Sequence, residues 1–221
     1  MLVELEGVSK VYTQGWVSIC ALSDIELQID RGEFVAVTGP SGAGKSTLLR
    51  IIACLDRPTT GMYRLDGQEI QAVSKAQQAR IRSERIGYLS EYPHLISDLT
   101  VAENVEVPLV FRGISRVQRR ELVEKALNRV GLQDRMNHLP GHLSIGQQQR
   151  VALARAIVAQ PEIVVADEPT GRLNTRSGRE LMEMLLQINR SGTCVVLATH
   201  DADLADMAER TIDLVDGRIV T

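Results

Sequence analysis

Three short stretches of this chain are apolar at every position. Phe34–Val37, followed by Thr38, is bounded by Gly32 and Gly39; the others are Ile163–Ala166 and Cys194–Ala198. Runs this short predict strands buried on both faces, as in a parallel sheet. Leu2–Leu5 and Ile25–Ile29 also read as strands. The second alternates apolar and polar positions, which predicts one buried face. Asp66-Gly67 is a hairpin turn signal between Tyr63-Arg64-Leu65 and Gln68-Glu69-Ile70, and Asp216-Gly217 joins Ile212–Val215 to Arg218–Val220 in the same way. Helical spacing appears elsewhere. Leu122, Val123, Ala126, Leu127 and Val130 recur on one face, with Gly131 as a C-terminal cap, and Val151, Ala154, Arg155 and Val158 share another. Leu181, Met184, Leu185 and Ile188 mark a crossover helix between the last two apolar runs.

These elements predict an α/β fold in a single domain over residues 1–221. The glycine-rich stretch from Gly39 to Thr47 makes this a phosphate-loop core, whose mostly parallel sheet carries an antiparallel β flank and into which a helical subdomain of about 75–160 is inserted. Composition changes this picture little. Lys plus Arg number 25 and Asp plus Glu 28, for a net charge of -3, so nothing global points to nucleic acid. The cluster Arg116, Arg119 and Arg120 reads as a solvated helix face. Cys20, Cys54 and Cys194 are scattered without metal-ligand spacing and read as thiols in a reducing cytosol. Met1–Glu6 lacks the basic and apolar regions of a signal peptide. No apolar run approaches the roughly 18–20 residues that span a bilayer, so at a membrane another chain is expected to do the spanning.

The chemistry begins directly after the first buried strand. Gly39, Pro40, Ser41, Gly42, Ala43, Gly44, Lys45, Ser46 and Thr47 spell a loop that cradles a nucleoside triphosphate. Glycines at 39, 42 and 44 let backbone N–H groups converge on phosphate, Lys45 adds a positive charge, and the Ser46 hydroxyl is a ligand for Mg²⁺. The Thr47–Ala53 helix that follows turns its N-terminal dipole toward the same anion. The run Ile163–Ala166 delivers Asp167 and Glu168 at its end. Asp167 is expected to hold Mg²⁺ and Glu168 to polarise the attacking water. His200 follows the next buried strand and is within reach of a terminal phosphate. Ser144, with Gln147 three residues on, reads equally as a capped helix start or as a second anion site.

Taken together, these residues resemble the nucleotide-binding subunits of ABC transporters over essentially the whole chain. Leu143-Ser144-Ile145-Gly146-Gln147 is similar to that family's Leu-Ser-Gly-Gly-Gln signature, and Thr170–Asn174 sits where its D-loop sits. The stretches Ile52–Thr59 and Val101–Leu109 look most like the lipoprotein-release and macrolide-export group. The resemblance implies that Tyr12 stacks on adenine and that Ser144, Gly146 and Gln147 bind the ATP of a second subunit in a head-to-tail dimer. It implies the cofactors ATP and Mg²⁺, with Glu91 at the Q-loop position near the metal. It also implies a separate membrane-spanning permease as partner, a place on the inner face of the cell membrane, and a groove near Glu91–Thr100 for a short cytoplasmic helix of that partner.

Three residues depart from the family pattern. Ile145 stands where Gly is usual and is expected to crowd the phosphate and resist φ > 0. Glu91 replaces Gln, and Asn174 replaces Asp. The leading reading is an ATP-hydrolysing subunit that powers a membrane transporter. A regulatory or mechanotransmitting ATPase with weak hydrolysis is the alternative. Homodimer and heterodimer with an intact-signature ATPase both remain open.

Overall fold

The computed structural model describes residues 1–220. In chain order the elements are β1 (Val3–Gln14), β2 (Val17–Ile29), β3 (Phe34–Thr38), α1 (Lys45–Ile52), β4 (Thr60–Leu65), β5 (Gln68–Glu69), α2 (Lys75–Arg85), β6 (Ile86–Ser90), α3 (Val101–Phe111), α4 (Arg116–Arg129), α5 (Ile145–Ile157), β7 (Ile163–Asp167), α6 (Thr175–Arg190), β8 (Cys194–Ala198), α7 (Ala202–Ala205), β9 (Arg210–Val215) and β10 (Arg218–Val220). They form two sheets. The six-stranded one has the order β10-β9-β3-β8-β7-β6, and every pairing in it is parallel except β9 with β10. The four-stranded one, β2-β1-β4-β5, is antiparallel throughout.

The three apolar runs become β3, β7 and β8, adjacent strands at the middle of the large sheet. Their side chains alternate between two cores. Val35, Val37, Val165 and Val196 pack with α1 and the inner face of the small sheet, while Phe34, Val164, Val195 and Leu197 pack with α3, α4, α5 and α6. Helix α1 is therefore clamped between two sheets. Helix α4 ends as its pattern predicts: Gly131 adopts φ +68, and Leu132 N–H donates to Leu127 O at 2.9 Å.

Two features differ from the local reading. Block 75–160 contains a strand of the large sheet, β6, paired with β7 from Ile86↔Ile163 to Ser90↔Asp167. It is an edge strand of five residues between the charged end of α2 and Glu91, too short for its alternation to stand out. The first hairpin is also far longer than Leu2–Leu5 and Ile25–Ile29 suggest. Beyond Val11 both faces of the ribbon are exposed, so the alternation that marks a buried face disappears; Trp16 at the tip is wholly exposed.

Gly87 in β6 lies against α5, where an added Cβ would sit 2.4 Å from the Ala156 carbonyl oxygen. Gly87→Ala is expected to force β6 and α5 apart and cost about 1–3 kcal/mol. An unfolding midpoint equal to wild type in denaturant titration would show that the two elements have room to separate.

Candidate functional site

The site gathers at the C-terminal ends of β3, β6, β7 and β8, where an open parallel sheet places ligands. The loop from β3 to α1 runs through glycines with positive φ. Gly39 has φ +137, and a Cβ there would lie 2.0 Å from Leu214 O of β9; Gly44 has φ +105, and a Cβ there would lie 2.5 Å from Ala21 O of β2. Any other residue at either position collides with backbone. Pro40, Ser41, Gly42 and Ser46 face solvent, while Ala43 and Lys45 are buried. Helix α1 begins at Lys45, two residues before the expected start, with Gly44 as an N-cap that offers no side chain. The first backbone N–H groups of α1, Thr47 among them, are therefore left for a ligand.

Lys45, Asp167, Glu168 and His200 each have a partner from another part of the chain. Lys45 Nζ donates to Gly39 O at 2.8 Å and Pro40 O at 3.1 Å, and lies 3.8 Å from Glu168 Oε1. His200 Nδ1 lies 2.9 Å from Glu168 Oε2. Glu168 itself has φ +46, unusual for a side-chain-bearing residue and a sign of a constrained site. Ser46 Oγ donates to Asp167 Oδ1 at 2.9 Å, and Tyr88 OH donates to Asp167 Oδ2 at 3.4 Å. Burial and the Asp167 charge push the Tyr88 hydroxyl up to about 12, so it stays a donor. Two hard oxygen donors, Ser46 Oγ and Asp167 Oδ1, fit Mg²⁺ chemistry. Glu91 follows Ser90, the register partner of Asp167, and its carboxylate lies beside Gly171.

The expected contributions to a second subunit lie elsewhere. Ser144 is the N-cap of α5: its hydroxyl accepts from Gln147 N at 3.3 Å, and Gln147 Oε1 accepts from Ser144 N at 3.0 Å. Gly146 packs next to Ser177 of α6. None of these hydrogen bonds joins Ser144 or Gln147 to residues 39–47 of the same chain. The expectation that Ile145 resists φ > 0 is corrected here. Residue 145 is the first of α5, is absent from the positive-φ set, and points out with 47 % exposure. Helical backbone accepts a β-branched residue, so no strain arises there. Asn174 caps α6, its Oδ1 accepting from Ser177 N at 2.9 Å, a role that Asp fills equally well.

Tyr12 lies on the exposed part of β1, its hydroxyl donating to Asp56 Oδ2 at 2.8 Å. The expected groove near Glu91–Thr100 is not part of the principal cavity. The principal cavity, about 790 Å³, lies between α2, β6 and α5, with Leu55, Ala79, Tyr88, Phe111 and Arg155 on its walls and none of residues 91–100. Arg155 joins the two regions by donating to Pro93 O at 2.6 Å and His94 O at 2.9 Å. Tyr88 and Asp56 are site residues that local pattern did not reveal. Tyr88 would have followed from recognising β6; Asp56 has no local signal.

Residues 22–171 match the family described as ABC transporter. The chain is 47 % identical over 219 residues to the macrolide export ATP-binding/permease protein MacB 1/2 of Paracoccus denitrificans, covering 99 % of this chain and 33 % of that protein. It thus spans about a third of the length of such relatives. It is 44 % identical to the uncharacterized ABC transporter ATP-binding protein YknY of Bacillus subtilis, covering 99 % of this chain and 95 % of that one. Among solved structures, the ATP-binding cassette MJ0796 as a post-hydrolysis dimer bound to ADP and Pi superposes with a TM-score of 0.92 at 41 % identity, over 100 % of this chain and 97 % of the other.

The caps generate a pair of opposite expectations. Ser144→Ala removes an N-cap and should cost about 1 kcal/mol, whereas Asn174→Asp keeps one and should stay within about 0.5 kcal/mol of wild type. Chemical denaturation of both variants checks this; equal stabilities would mean that the Ser144 box contributes nothing.

Proposed function

This chain belongs to the ABC transporter family, and on that premise we propose that it binds and hydrolyses ATP to power a membrane-spanning permease through nucleotide-dependent closure of a dimer. One observation carries the reading. The Glu168 carboxylate is held between Lys45 Nζ and His200 Nδ1, at 3.8 and 2.9 Å, at the mouth of the glycine-rich loop.

The roles follow from this geometry. The Lys45 ammonium exchanges its carbonyl partners Gly39 O and Pro40 O for phosphate oxygens, gaining a charge-assisted contact. The backbone N–H groups of the loop and of the first turn of α1 supply further donors. Mg²⁺, when bound, neutralises charge on the triphosphate, held from the protein side by Ser46 and Asp167 with Glu91 nearby. Glu168 orients the attacking water and takes its proton toward His200, which also contacts the terminal phosphate. Tyr12 stacks on the base. Ser144, Gly146 and Gln147 present the N-terminus of α5 to the ATP of the second subunit.

No helix among the described residues is long and apolar enough to cross a membrane, and the proposed permease supplies the spanning part. The 790 Å³ groove is the proposed seat of its cytoplasmic helix, on the inner face of the cell membrane. The relatives named for macrolide export make compounds of that class the first substrates to test.

The alternative, a slowly hydrolysing regulator, draws on Ile145, whose exposed side chain stands where the second subunit's nucleotide is proposed to dock. A homodimer then carries two crowded sites, and a heterodimer with an intact-signature ATPase only one.

Lys45→Ala should weaken nucleotide binding at least tenfold, the loss of a charge-assisted contact on the order of 1.5–3 kcal/mol. Titrations matching wild type would overturn the site. Glu168→Gln should bind ATP, hydrolyse it far more slowly and persist as an ATP-bound dimer on size-exclusion chromatography. Wild-type turnover would remove Glu168 from its role. Ile145→Gly should raise steady-state phosphate release at saturating MgATP, tenfold for a relief of about 1.4 kcal/mol. A flat or lower rate would mean that the side chain is accommodated and would count against the regulatory alternative.

A further inference from the structure

Tyr12 does not stand alone on its exposed ribbon. Lys10 and Tyr12 are two apart on β1 and share a face. Lys10 Nζ lies over the Tyr12 ring at 4.8 Å from its centroid. Asp56, in the loop after α1, joins the two: its Oδ2 accepts from Tyr12 OH at 2.8 Å and its Oδ1 from Lys10 Nζ at 2.6 Å. The carboxylate is itself anchored by Arg57 N at 2.7 Å, and Arg57 Nε reaches Gln78 of α2 at 2.9 Å. Thr59 completes the clamp. Its N–H donates to Ser9 O at 2.8 Å and its Oγ1 accepts from Val11 N at 3.0 Å. Burial alone would raise the Asp56 carboxyl, but the bonds from Lys10 and Tyr12 outweigh it and hold the group below its usual range.

We propose that Asp56, braced by Lys10, is a positioning residue for nucleotide binding: it holds the Tyr12 ring ready to stack before a base arrives. This rests on the reading of Tyr12 as the base platform. An aromatic side chain on an exposed ribbon otherwise samples several rotamers, and ordering it on binding costs about two- to tenfold in affinity. Lys10 covers part of the ring, and the remaining surface stays open, with Tyr12 38 % exposed. Because Asp56 follows α1, the same link ties the base platform to the helix whose first residue is Lys45.

The test is calorimetric titration of MgADP and, as a probe with phosphates but no base, inorganic pyrophosphate. Tyr12→Phe keeps the ring and loses the link. It should weaken MgADP about two- to tenfold and leave pyrophosphate unchanged. Asp56→Ala should weaken MgADP at least as much, since it also frees Lys10, and the double variant should be no weaker than Asp56→Ala, because the Tyr12–Asp56 bond is already lost there. Tyr12→Ala should weaken MgADP further. Wild-type MgADP affinity in Tyr12→Phe and Asp56→Ala, beside a weakened Tyr12→Ala, overturns the positioning role and leaves the platform standing. Wild-type affinity in Tyr12→Ala removes the platform and this proposal with it. Loss of pyrophosphate binding in Asp56→Ala, with Tyr12→Phe like wild type, makes Asp56 a structural residue and also overturns the proposal.

Discussion

The close approach of the glycine-rich loop to two neighbouring backbones is the constraint from which the rest of the site follows. At Gly39 the loop passes the carbonyl of Leu214 in β9, and at Gly44 it passes Ala21 in β2, with room for no Cβ at either place. The β9–β10 turn closes over it, Gly217 N–H donating to Ala43 O at 3.0 Å. The loop is thus wedged where the two sheets meet, and α1 starts from it with the N–H groups of its first turn free of intrahelical partners. Both sheets are needed to hold this path: one supplies β3 and β9, the other β2.

Inside that frame the buried charges meet partners from the chain itself. Lys45 is 8 % exposed, and an unpaired ammonium at that depth would be costly. Two loop carbonyls and Glu168 meet it. Asp167 is similarly divided between Ser46 and Tyr88. These partners come from the loop, the start of α1 and the strand ends around one mouth.

The segment after β6 is held from both sides. Gln149 of α5 donates to Ser90 O at 2.7 Å, and Arg155 of the same helix donates to Pro93 O and His94 O. On the other side the Arg172 guanidinium stacks over the Tyr92 ring at 4.5 Å. Glu91 therefore lies between the helix that begins at Ser144 and the turn that follows Glu168. A displacement of this segment from the groove side would be felt at both.

The local alphabet of the chain determined the three central strands, the hairpin turns, the glycine-rich loop, the caps at Ser144 and Gly131, and the carboxylates at the end of β7. Each depends on residues within a few positions of one another: an unbroken apolar run, an Asp-Gly pair, a glycine at a forced φ. Tertiary structure alone decided the remainder. Strand β6 is an edge whose pattern is too short to read, and the long hairpin loses its alternation because neither face of its tip is covered. Ile145 takes a helical backbone because Ser144 caps α5, which motif comparison at one position does not convey. The contacts that assemble the site, Ser46 with Asp167 across 121 residues and Tyr12 with Asp56 across 44, join segments far apart in the chain. No local periodicity records such pairs, because they exist only once the sheets have packed around α1.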